Sequence, residues 1–510
     1  MYMLSFPKIG LNFKNLPLFF QVLGISCSLM FIVAGYALVS DLFREARIFL
    51  YTGLTGFLIL SLVVLATSNR DLKETGLSQL FSLVFSFLVL PLFLAVPGWI
   101  ILPNVYFADI YLDMVSAFTT TGLPVFEIEF LSKPIHLWRA LIAWFGGGLI
   151  WIAAFVILLP ANLGGFEVFS NKQEALNSSR KLTLNERSIT LVKVSQKLVP
   201  LYSVLTIILW GLLTILGTDG YTSLIRALSV VSTSGISGPS KFDSDEAGLL
   251  GEIVILLFLF LAVSHHIISF IYQRIKFNRI ITDTEIRLGL LIVLIVTVLI
   301  SFKQLSQTNI SSNSIDSLAG ILKLIWGNFF TAFSFMTTNG YVSSFWKGSI
   351  SSDEVTHIYL ILIGLCLFGG GVATTAGGIK LLRMSILFSA FSNETGKLLH
   401  PSSVVNNNKF TKSLDISVYM AWVFFMLFIV SIATLTIILS MVGILFEDSL
   451  RLVVSCLTTT GPLLQIVGLE NYSIIELSLS SKIILILTMI LGRLEILVAL
   501  SLITFGIWKN

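Results

Sequence analysis

Four short stretches rich in threonine and glycine recur along the chain: TTTGL at Thr119–Leu123, TSGI at Thr233–Ile236, TTNGY at Thr337–Tyr341 and TTTGP at Thr458–Pro462. Their glycines are 113, 105 and 121 residues apart, and each stretch follows a weakly amphipathic segment and precedes a long apolar one. In cation filters, backbone carbonyls and hydroxyls replace the hydration shell of the ion. The spacing therefore predicts four loops that meet around one axis and line a narrow polar path.

The composition places the chain in a membrane. Of its 510 residues, 55% are hydrophobic and only 12% are charged, and the mean hydropathy is +0.92. A soluble domain of this length does not carry so much apolar surface, whereas a membrane-spanning helix needs about 20 apolar residues. Ten segments are predicted to span the bilayer, at 17–39, 48–67, 77–97, 138–160, 197–216, 248–272, 286–303, 356–383, 414–445 and 474–508.

The recurring loops also predict the organisation of the chain. We expect an all-α polytopic membrane protein with ten transmembrane helices, in which four units of helix, pore loop and helix surround one axis. Irregular backbone at membrane depth is tolerated only where protein buries it or where it lines a water-filled cavity, so the four loops belong together. The predicted boundaries are 17–67 for an N-terminal helix pair and 77–160, 197–272, 286–383 and 414–508 for the four pore repeats.

The charges predict an orientation with the amino terminus in the cytoplasm, because basic residues then concentrate in the inner loops. Acidic residues show the opposite bias and predict a vestibule that attracts cations, although simple avoidance of the inner side explains the same bias. The acids predicted outside include Asp109, Asp113, Glu127 and Glu129. An acid that caps the helix also opens three of the four re-entrant segments, at Asp109, at Asp219 and at Glu447 with Asp448.

Longer motifs accompany the four loops: FTTTG at Phe118–Gly122, WRALIAWFGGGL at Trp138–Leu149, GGGVATTAGGIK at Gly369–Lys380, LHPSSV at Leu399–Val404, LTTTGP at Leu457–Pro462 and GRLE at Gly492–Glu495. In this combination the chain resembles the membrane subunits of the Trk/Ktr/HKT potassium transporter superfamily over nearly its whole length. The additional leading helix pair makes it most similar to the TrkH type.

The resemblance implies potassium uptake across a bacterial inner membrane, with potassium as the substrate, no cofactor in this chain, and no enzymatic activity. It further implies a homodimer and a cytoplasmic, TrkA-like regulatory subunit that binds nucleotide, while no nucleic-acid partner is expected. We expect that subunit to dock on the basic inner loops around Arg180–Lys197 and Lys397–Lys412.

The resemblance also implies that each glycine and the two residues before it line the filter and bind potassium. These residues are Thr120, Thr121 and Gly122; Thr233, Ser234 and Gly235; Thr338, Asn339 and Gly340; and Thr459, Thr460 and Gly461. Ser234 and Asn339 depart from the glycine and threonine that are common at their positions in the family. Both still supply carbonyls, so potassium coordination is expected, while discrimination against rubidium or sodium stays open.

Two features are predicted to lie beneath the filter. Arg493 is in an apolar helix, where a charge is expensive and usually functional, and the resemblance implies that it is an electrostatic barrier in the pore. A structural arginine that pairs with another helix is the alternative. Five glycines within ten residues predict a broken helix, which the resemblance implies is a gate, and close helix packing is the alternative. The predicted gate loop comprises Gly369, Gly370, Gly371, Thr374, Thr375, Gly377 and Gly378.

Two other classes of function are alternatives to an ion pathway. A secondary transporter of another cation or of a small solute would show a two-fold inverted repeat rather than four similar loops. A membrane-embedded enzyme would need clustered intramembrane carboxylates or histidines, whereas the candidate carboxylates are dispersed. These are Glu252, Asp415, Glu476 and Glu495. The sequence leaves open whether transport is channel-like or coupled to protons or sodium.

Overall fold

The structure is a computed structural model that describes residues 17–67, 76–154, 156, 184–238, 248–263, 283–307, 318–346, 352–372, 374–399, 409–467 and 473–494. Within these ranges the regular secondary structure is entirely helical, which confirms the predicted fold class. The α-helices are α1 (Leu18–Val39), α2 (Phe43–Thr67), α3 (Gly76–Leu94), α4 (Val96–Ile101), α5 (Phe107–Phe118), α6 (Lys133–Ala153), α7 (Leu184–Ile215), α8 (Gly220–Ser232), α9 (Gly248–Leu259), α10 (Thr284–Gln307), α11 (Leu318–Met336), α12 (Ser352–Leu367), α13 (Leu381–Leu399), α14 (Lys409–Met441), α15 (Phe446–Leu457), α16 (Leu463–Val467) and α17 (Leu479–Leu494).

Eight helices of the described chain are long and apolar enough to cross a membrane. Seven of them coincide with predicted spans, and the eighth is α11, which precedes the third threonine–glycine stretch. Of the other predicted spans, 248–272 and 474–508 lie partly outside the described residues, and 356–383 is interrupted after α12. The predicted total of ten spans is therefore still a prediction, as are the repeat boundaries.

The outer surface of the long helices is apolar. Large aliphatic and aromatic side chains are exposed on α2, α7, α10 and α14, where water would not tolerate a continuous patch of them. Examples are Leu62, Ile207, Phe302 and Val430. Such a surface fits hydrocarbon as its solvent, which agrees with the composition of the whole chain.

Four helices, α5, α8, α11 and α15, each end at one threonine–glycine stretch. Each packs against the long helix that follows it and against the corresponding helix of the preceding unit. Thus α8 packs on α9 and α6, α11 on α12 and α9, and α15 on α17 and α12, while α5 packs on α6 and α17. Because α5 contacts the last long helix, the packing order is cyclic and the four loops converge on one axis.

Two glycines show the same close approach in the first and fourth units. A β-carbon added to Gly146 of α6 would overlap the carbonyl oxygen of Phe118, and one added to Gly492 of α17 would overlap that of Leu457. Phe118 and Leu457 each lie four residues before a filter glycine. The glycine in each long helix therefore lets it pack directly on the end of a pore helix.

The N-terminal helix pair lies beside the first unit. Helices α1 and α2 pack against each other, and α1 also packs against α3 and α6. A β-carbon on Gly56 would overlap Cys27 Sγ of α1 and would meet Phe93 Cζ of α3 at 2.7 Å, so this glycine permits close contact of α2 with both side chains. The predicted leading pair is thus attached to the outside of the ring of pore helices.

Candidate functional site

The four threonine–glycine loops share one backbone conformation. In each loop the threonine two residues before the glycine has a positive φ, between 53° and 58°. Non-glycine residues seldom adopt this region, and for a β-branched residue it stores about 1–3 kcal/mol of strain. The four residues are Thr120, Thr233, Thr338 and Thr459. The same strained geometry at four positions means that the surroundings of each loop hold it in shape.

A serine six residues before each glycine supplies part of that support. The carbonyl oxygen of each serine accepts the amide of the residue just before the glycine, at 2.8–3.0 Å. In the first and third loops the serine hydroxyl also accepts the amide of the residue after the glycine, at 2.7 Å in both. The serines are Ser116, Ser229, Ser334 and Ser455. They were not predicted, although their fixed offset from each glycine is visible in the sequence.

The glycines lie where neighbouring loops touch. A β-carbon added to any of the four would come within 2.9 Å of the next loop around the axis. The atoms met belong to Ser234 for Gly122, to Asn339 for Gly235, to Pro462 for Gly340 and to Gly122 for Gly461. The loops therefore contact one another in chain order, and the fourth contacts the first. Only glycine fits at these junctions.

Hydrogen bonds also join the loops directly. The amide of Gly461 donates to the carbonyl oxygen of Thr121 at 2.6 Å, which links the fourth loop to the first. The amide of Gly235 donates to Asn339 Oδ1 at 3.3 Å, so the asparagine that departs from the family pattern links the third loop to the second. The loops are thus one connected unit rather than four independent turns.

The predicted filter side chains are all buried, and two of their hydroxyls are free. Thr120 Oγ1 and Thr459 Oγ1 have no hydrogen-bond partner among the described residues. At the equivalent position of the other loops, Thr233 Oγ1 donates to the carbonyl of Ser232, and Thr338 Oγ1 accepts the amide of Gly377. A buried polar atom without a partner is unfavourable by about 1–3 kcal/mol, and a dehydrated cation is a suitable partner for a hydroxyl oxygen.

A cavity of about 1220 Å³ opens at the glycine end of the ring, where Gly235, Gly340 and Pro462 line it. Glu127 and Glu129 are exposed at its wall. This cavity corresponds to the predicted acidic vestibule and marks one mouth of the candidate pathway.

Two of the acids predicted on the vestibule side are paired rather than free, although Asp109 does line the cavity. Asp113 is buried and pairs with Arg139 at 2.8 Å, and Asp109 is buried and pairs with Lys482. Each has a basic partner because a buried carboxylate needs compensation for its lost hydration. These two acids connect helices and do not add net charge to the cavity.

The predicted capping of the pore helices holds for one helix. Asp219 precedes α8 and accepts the amide of Thr222 at 3.3 Å. Asp109 instead lies in the first turn of α5 and pairs with Lys482, and Asp448 in the first turn of α15 pairs with Arg451 at 3.1 Å. In those two helices a buried cation replaces the backbone amide as the partner of the acid.

The glycine-rich segment interrupts the helix as predicted, since α12 ends at Leu367 and α13 begins at Leu381. It lies against the threonine end of the ring, opposite the cavity. The amide of Gly377 donates to Thr338 Oγ1 at 3.0 Å, and a β-carbon on Gly377 would overlap the carbonyl oxygen of Thr458. All the predicted gate residues lie in this break, and all but Gly378 are buried.

Three further contacts hold the same segment. The amide of Val372 donates to Glu285 Oε1 at 3.0 Å, and Lys380 Nζ donates to the carbonyl of Ala376 at 2.6 Å. The third contact is made by Arg493, whose Nη1 donates to the carbonyl of Thr375 at 2.6 Å. Glu285 was not predicted, because a carboxylate at the start of α10 has no local signal that links it to residue 372.

Arg493 lies next to the glycine-rich segment. It is buried beneath the ring, and its Nε and Nη2 have no hydrogen-bond partner among the described residues. Glu495, the acid of the GRLE motif, lies outside the described residues. The structure therefore brings together the ring of loops, the glycine-rich segment and one buried positive charge in a single column, with the acidic cavity at its far end.

A ring of four oxygen-rich loops inside a bundle of apolar helices is the architecture of a protein that moves ions across a membrane. Residues 55–507 match the family model TrkH, described as cation transport protein. The match covers most of the chain, so this chain belongs to the TrkH family. It is a transport protein and not an enzyme.

Individual relatives agree with this membership. The Trk system potassium uptake protein TrkG of Escherichia coli strain K12 is 27% identical over 80% of this chain and 80% of its own length. TrkI of Halomonas elongata, also named a Trk system potassium uptake protein, is 26% identical over 84% of this chain and 82% of its own. The crystal structure of the potassium transporter TrkH from Vibrio parahaemolyticus shares the fold, with a TM-score of 0.78 and 20% identity over 98% of this chain and 99% of that one.

Proposed function

We propose that this chain is the pore-forming subunit of a potassium uptake system. The observation that carries the proposal is the closed ring in which each filter glycine abuts the next loop. A wall built from four such loops presents carbonyl and hydroxyl oxygens at fixed distances, which is the chemistry that replaces the hydration shell of an alkali cation. Relatives named as Trk system potassium uptake proteins support potassium as that cation.

The potassium ion would enter from the acidic cavity and lose its water at the glycine end of the ring. The binding residues are those predicted from the sequence: Thr120, Thr121, Gly122, Thr233, Ser234, Gly235, Thr338, Asn339, Gly340, Thr459, Thr460 and Gly461. The unpartnered hydroxyls of Thr120 and Thr459 then serve as ligands at the inner end. Glu127 and Glu129 raise the local concentration of cations at the entrance.

Beneath the ring, Arg493 and the glycine-rich segment would act together as barrier and gate. The guanidinium holds the segment through the carbonyl of Thr375, and the segment in turn contacts Thr338. A potassium ion that leaves the inner end of the filter meets both the positive charge and the backbone of the segment. Opening would therefore require the segment to move and Arg493 to move with it.

We also propose the assembly and orientation that the sequence implied. The chain would form a homodimer in a bacterial inner membrane, with its amino terminus in the cytoplasm and a nucleotide-binding, TrkA-like subunit on the inner loops. The names of the relatives, which place them in a Trk system, support a multi-component assembly. Residues 180–183 and 400–408 of the proposed docking loops lie outside the described residues.

Growth of a potassium-uptake-deficient bacterium tests the proposed function. Cells that express the chain should grow at potassium concentrations too low for cells with an empty vector. A Gly235→Val chain is the matched negative control, because a side chain there would collide with Asn339 and Pro462. Growth no better than the empty vector, with the chain present in the membrane, would contradict the proposal.

A further inference from the structure

Glu252 of α9 is a buried carboxylate that the pathway described above does not use. Its residue is 2% exposed, and its two oxygens accept hydrogen bonds from four donor groups at 2.8–2.9 Å. The donors are Trp326 Nε1, Ser343 Oγ, Ser344 Oγ and the amide of Ser344. Helix α9 belongs to the second unit, whereas all four donors belong to the third.

The donors hold the chain where it leaves the third filter loop. Ser343 and Ser344 follow Gly340 by three and four residues, and Trp326 is on the pore helix α11. Ser343 Oγ also accepts the amide of Phe345 at 3.1 Å, and the amide of Ser343 donates to Thr331 Oγ1 at 3.2 Å. Glu252 therefore holds the segment that follows the third filter loop against α11, the pore helix that precedes the same loop.

Tyr341 carries this restraint to the filter itself. Its amide donates to Ser334 Oγ at 2.7 Å, and its hydroxyl donates to the carbonyl of Ile236 at 3.1 Å. Ile236 follows Gly235 directly, so Tyr341 spans the second and third loops at their glycine ends. A shift of Ser343 and Ser344, which Glu252 holds, would therefore displace the second and third filter loops.

The partners of Glu252 distinguish it from three other buried acids near the ring. Asp109, Asp113 and Asp448 each pair with a lysine or an arginine. Among the described residues no basic side chain pairs with Glu252. A buried carboxylate without a countercharge depends on its hydrogen bonds, and therefore both oxygens need the donors that the third unit supplies.

We propose that Glu252 is a positioning residue that sets the ion selectivity of the filter by fixing the exit of the third loop against the second unit. The inference rests on the proposed function and adds a selectivity determinant that lies outside the filter motifs. A narrow oxygen-lined path discriminates among alkali cations only while its carbonyls keep their positions, and Glu252 restrains two of the four loops.

The test compares Glu252→Gln with wild type in proteoliposomes, measuring potassium, rubidium and sodium flux under identical gradients. Glutamine keeps the size of the side chain, but its NH2 group is itself a donor. It cannot accept the hydrogen bonds that the replaced carboxylate oxygen accepts. We expect the potassium-to-sodium flux ratio to fall by about tenfold, which corresponds to about 1.4 kcal/mol. Glu476→Gln is the matched control, because Glu476 is an exposed carboxylate that accepts the amide of Ser473 at 3.2 Å, and it should leave the ratio unchanged.

Ser343→Ala is the second variant, and it provides the test if Glu252→Gln protein is not found in the membrane. It removes one donor to the carboxylate, and we expect the ratio to fall by about threefold, as for the loss of one ordinary hydrogen bond. Wild-type ratios in both variants, or a loss of total flux and thermal stability without a change in ratio, would overturn the inference. Absence of potassium flux in the wild-type protein would instead contradict the proposed function.

Discussion

Gly122 has a φ of 67°, and its α-carbon faces the carbonyl oxygen of Ser234 in the next loop. Replacement by serine would add a side chain where none fits and would impose a backbone conformation that L-residues rarely adopt. We expect Gly122→Ser to lower the potassium-to-sodium flux ratio in proteoliposomes by about tenfold or more. A tenfold change corresponds to a loss of only about 1.4 kcal/mol in the preference of the filter for potassium.

Gly211→Ser is the control for that substitution. Gly211 lies in α7, and a β-carbon there would meet no atom within 4 Å. Its flux ratio should equal that of the wild type. A Gly122→Ser protein with wild-type selectivity would show that Gly122 is not part of the filter.

Arg493 is buried beneath the ring, on the route that we propose for the ion. A cation at 4 Å from a guanidinium is repelled by about 4 kcal/mol at an effective dielectric constant of about 20. Arg493→Ala removes that repulsion and also the hydrogen bond to Thr375. We expect rubidium flux into proteoliposomes to rise severalfold while the preference for potassium over sodium is retained.

Arg47→Ala is a suitable comparison, because Arg47 is exposed on α2 and its Nε donates to the carbonyl of Phe43 in the same helix at 3.3 Å. That variant should transport like the wild type. If Arg493→Ala protein cannot be extracted folded from membranes, or if it conducts no faster, the arginine is a structural residue and the barrier lies elsewhere.

Among individual residues, the sequence predicted those that belong to recurring motifs. It did not predict those whose contacts are with residues distant in the sequence. The glycines, the strained threonines and Arg493 belong to local motifs, so they could be identified from the amino-acid sequence alone. Glu252 and Glu285 contact residues 91 and 87 positions away, which no local pattern encodes. The serines six residues before each glycine could have been predicted, since their offset from the glycine is constant.

The glycine-rich break between α12 and α13 contacts the threonine end of the ring, where we propose that it acts as the gate. We expect deletion of Val372–Ala376 to raise basal rubidium flux into proteoliposomes, because it removes the backbone that contacts the filter and Arg493. Gly364→Ala in α12, where an added β-carbon meets nothing within 4 Å, controls for changes to the neighbouring helix. Wild-type flux after the deletion would assign the segment to packing.

One buried ion pair joins the first and last units of the ring. Lys482 of α17 pairs with Asp109 of α5, and both are almost fully buried. Lys482→Met leaves the carboxylate of Asp109 uncompensated, and we expect it to reduce the free energy of unfolding by about 3–5 kcal/mol. Thermal denaturation of the detergent-purified protein measures the effect.

Two further proteins complete that measurement. Lys323→Met changes an exposed lysine and should leave the denaturation temperature close to that of the wild type. The double variant Asp109→Asn, Lys482→Met removes both charges and should recover much of the lost stability. No loss of stability in Lys482→Met would show that the ring does not depend on this pair.

Element positions were predictable to the extent that hydrophobic runs define them. Seven predicted spans coincide with long apolar helices, although α7 begins at Leu184, well before the predicted start at residue 197. That extension is polar, so hydropathy alone could not detect it. The roles of Asp109 and Asp448 were misjudged for a related reason: their basic partners become neighbours only after the helices pack.

Across the whole molecule, one column links the acidic cavity, the ring of four loops, the glycine-rich segment and Arg493. The cyclic packing of pore helices on long helices builds this column, and the N-terminal pair is attached beside it. Membership of the TrkH family followed from the sequence because its motifs are short, continuous stretches of the chain. The ion that passes, however, is a property of oxygen positions in the assembled ring and has to be measured.

The most direct measurement is therefore cation-selective flux through the purified wild-type chain in proteoliposomes, with potassium, rubidium and sodium gradients applied in turn. We predict potassium and rubidium flux well above sodium flux, with the potassium-to-sodium flux ratio lowered by Gly122→Ser and not by Gly211→Ser. Equal fluxes of all three ions in the wild-type protein, or no potassium flux at all, would contradict the claim that the four loops form a potassium filter.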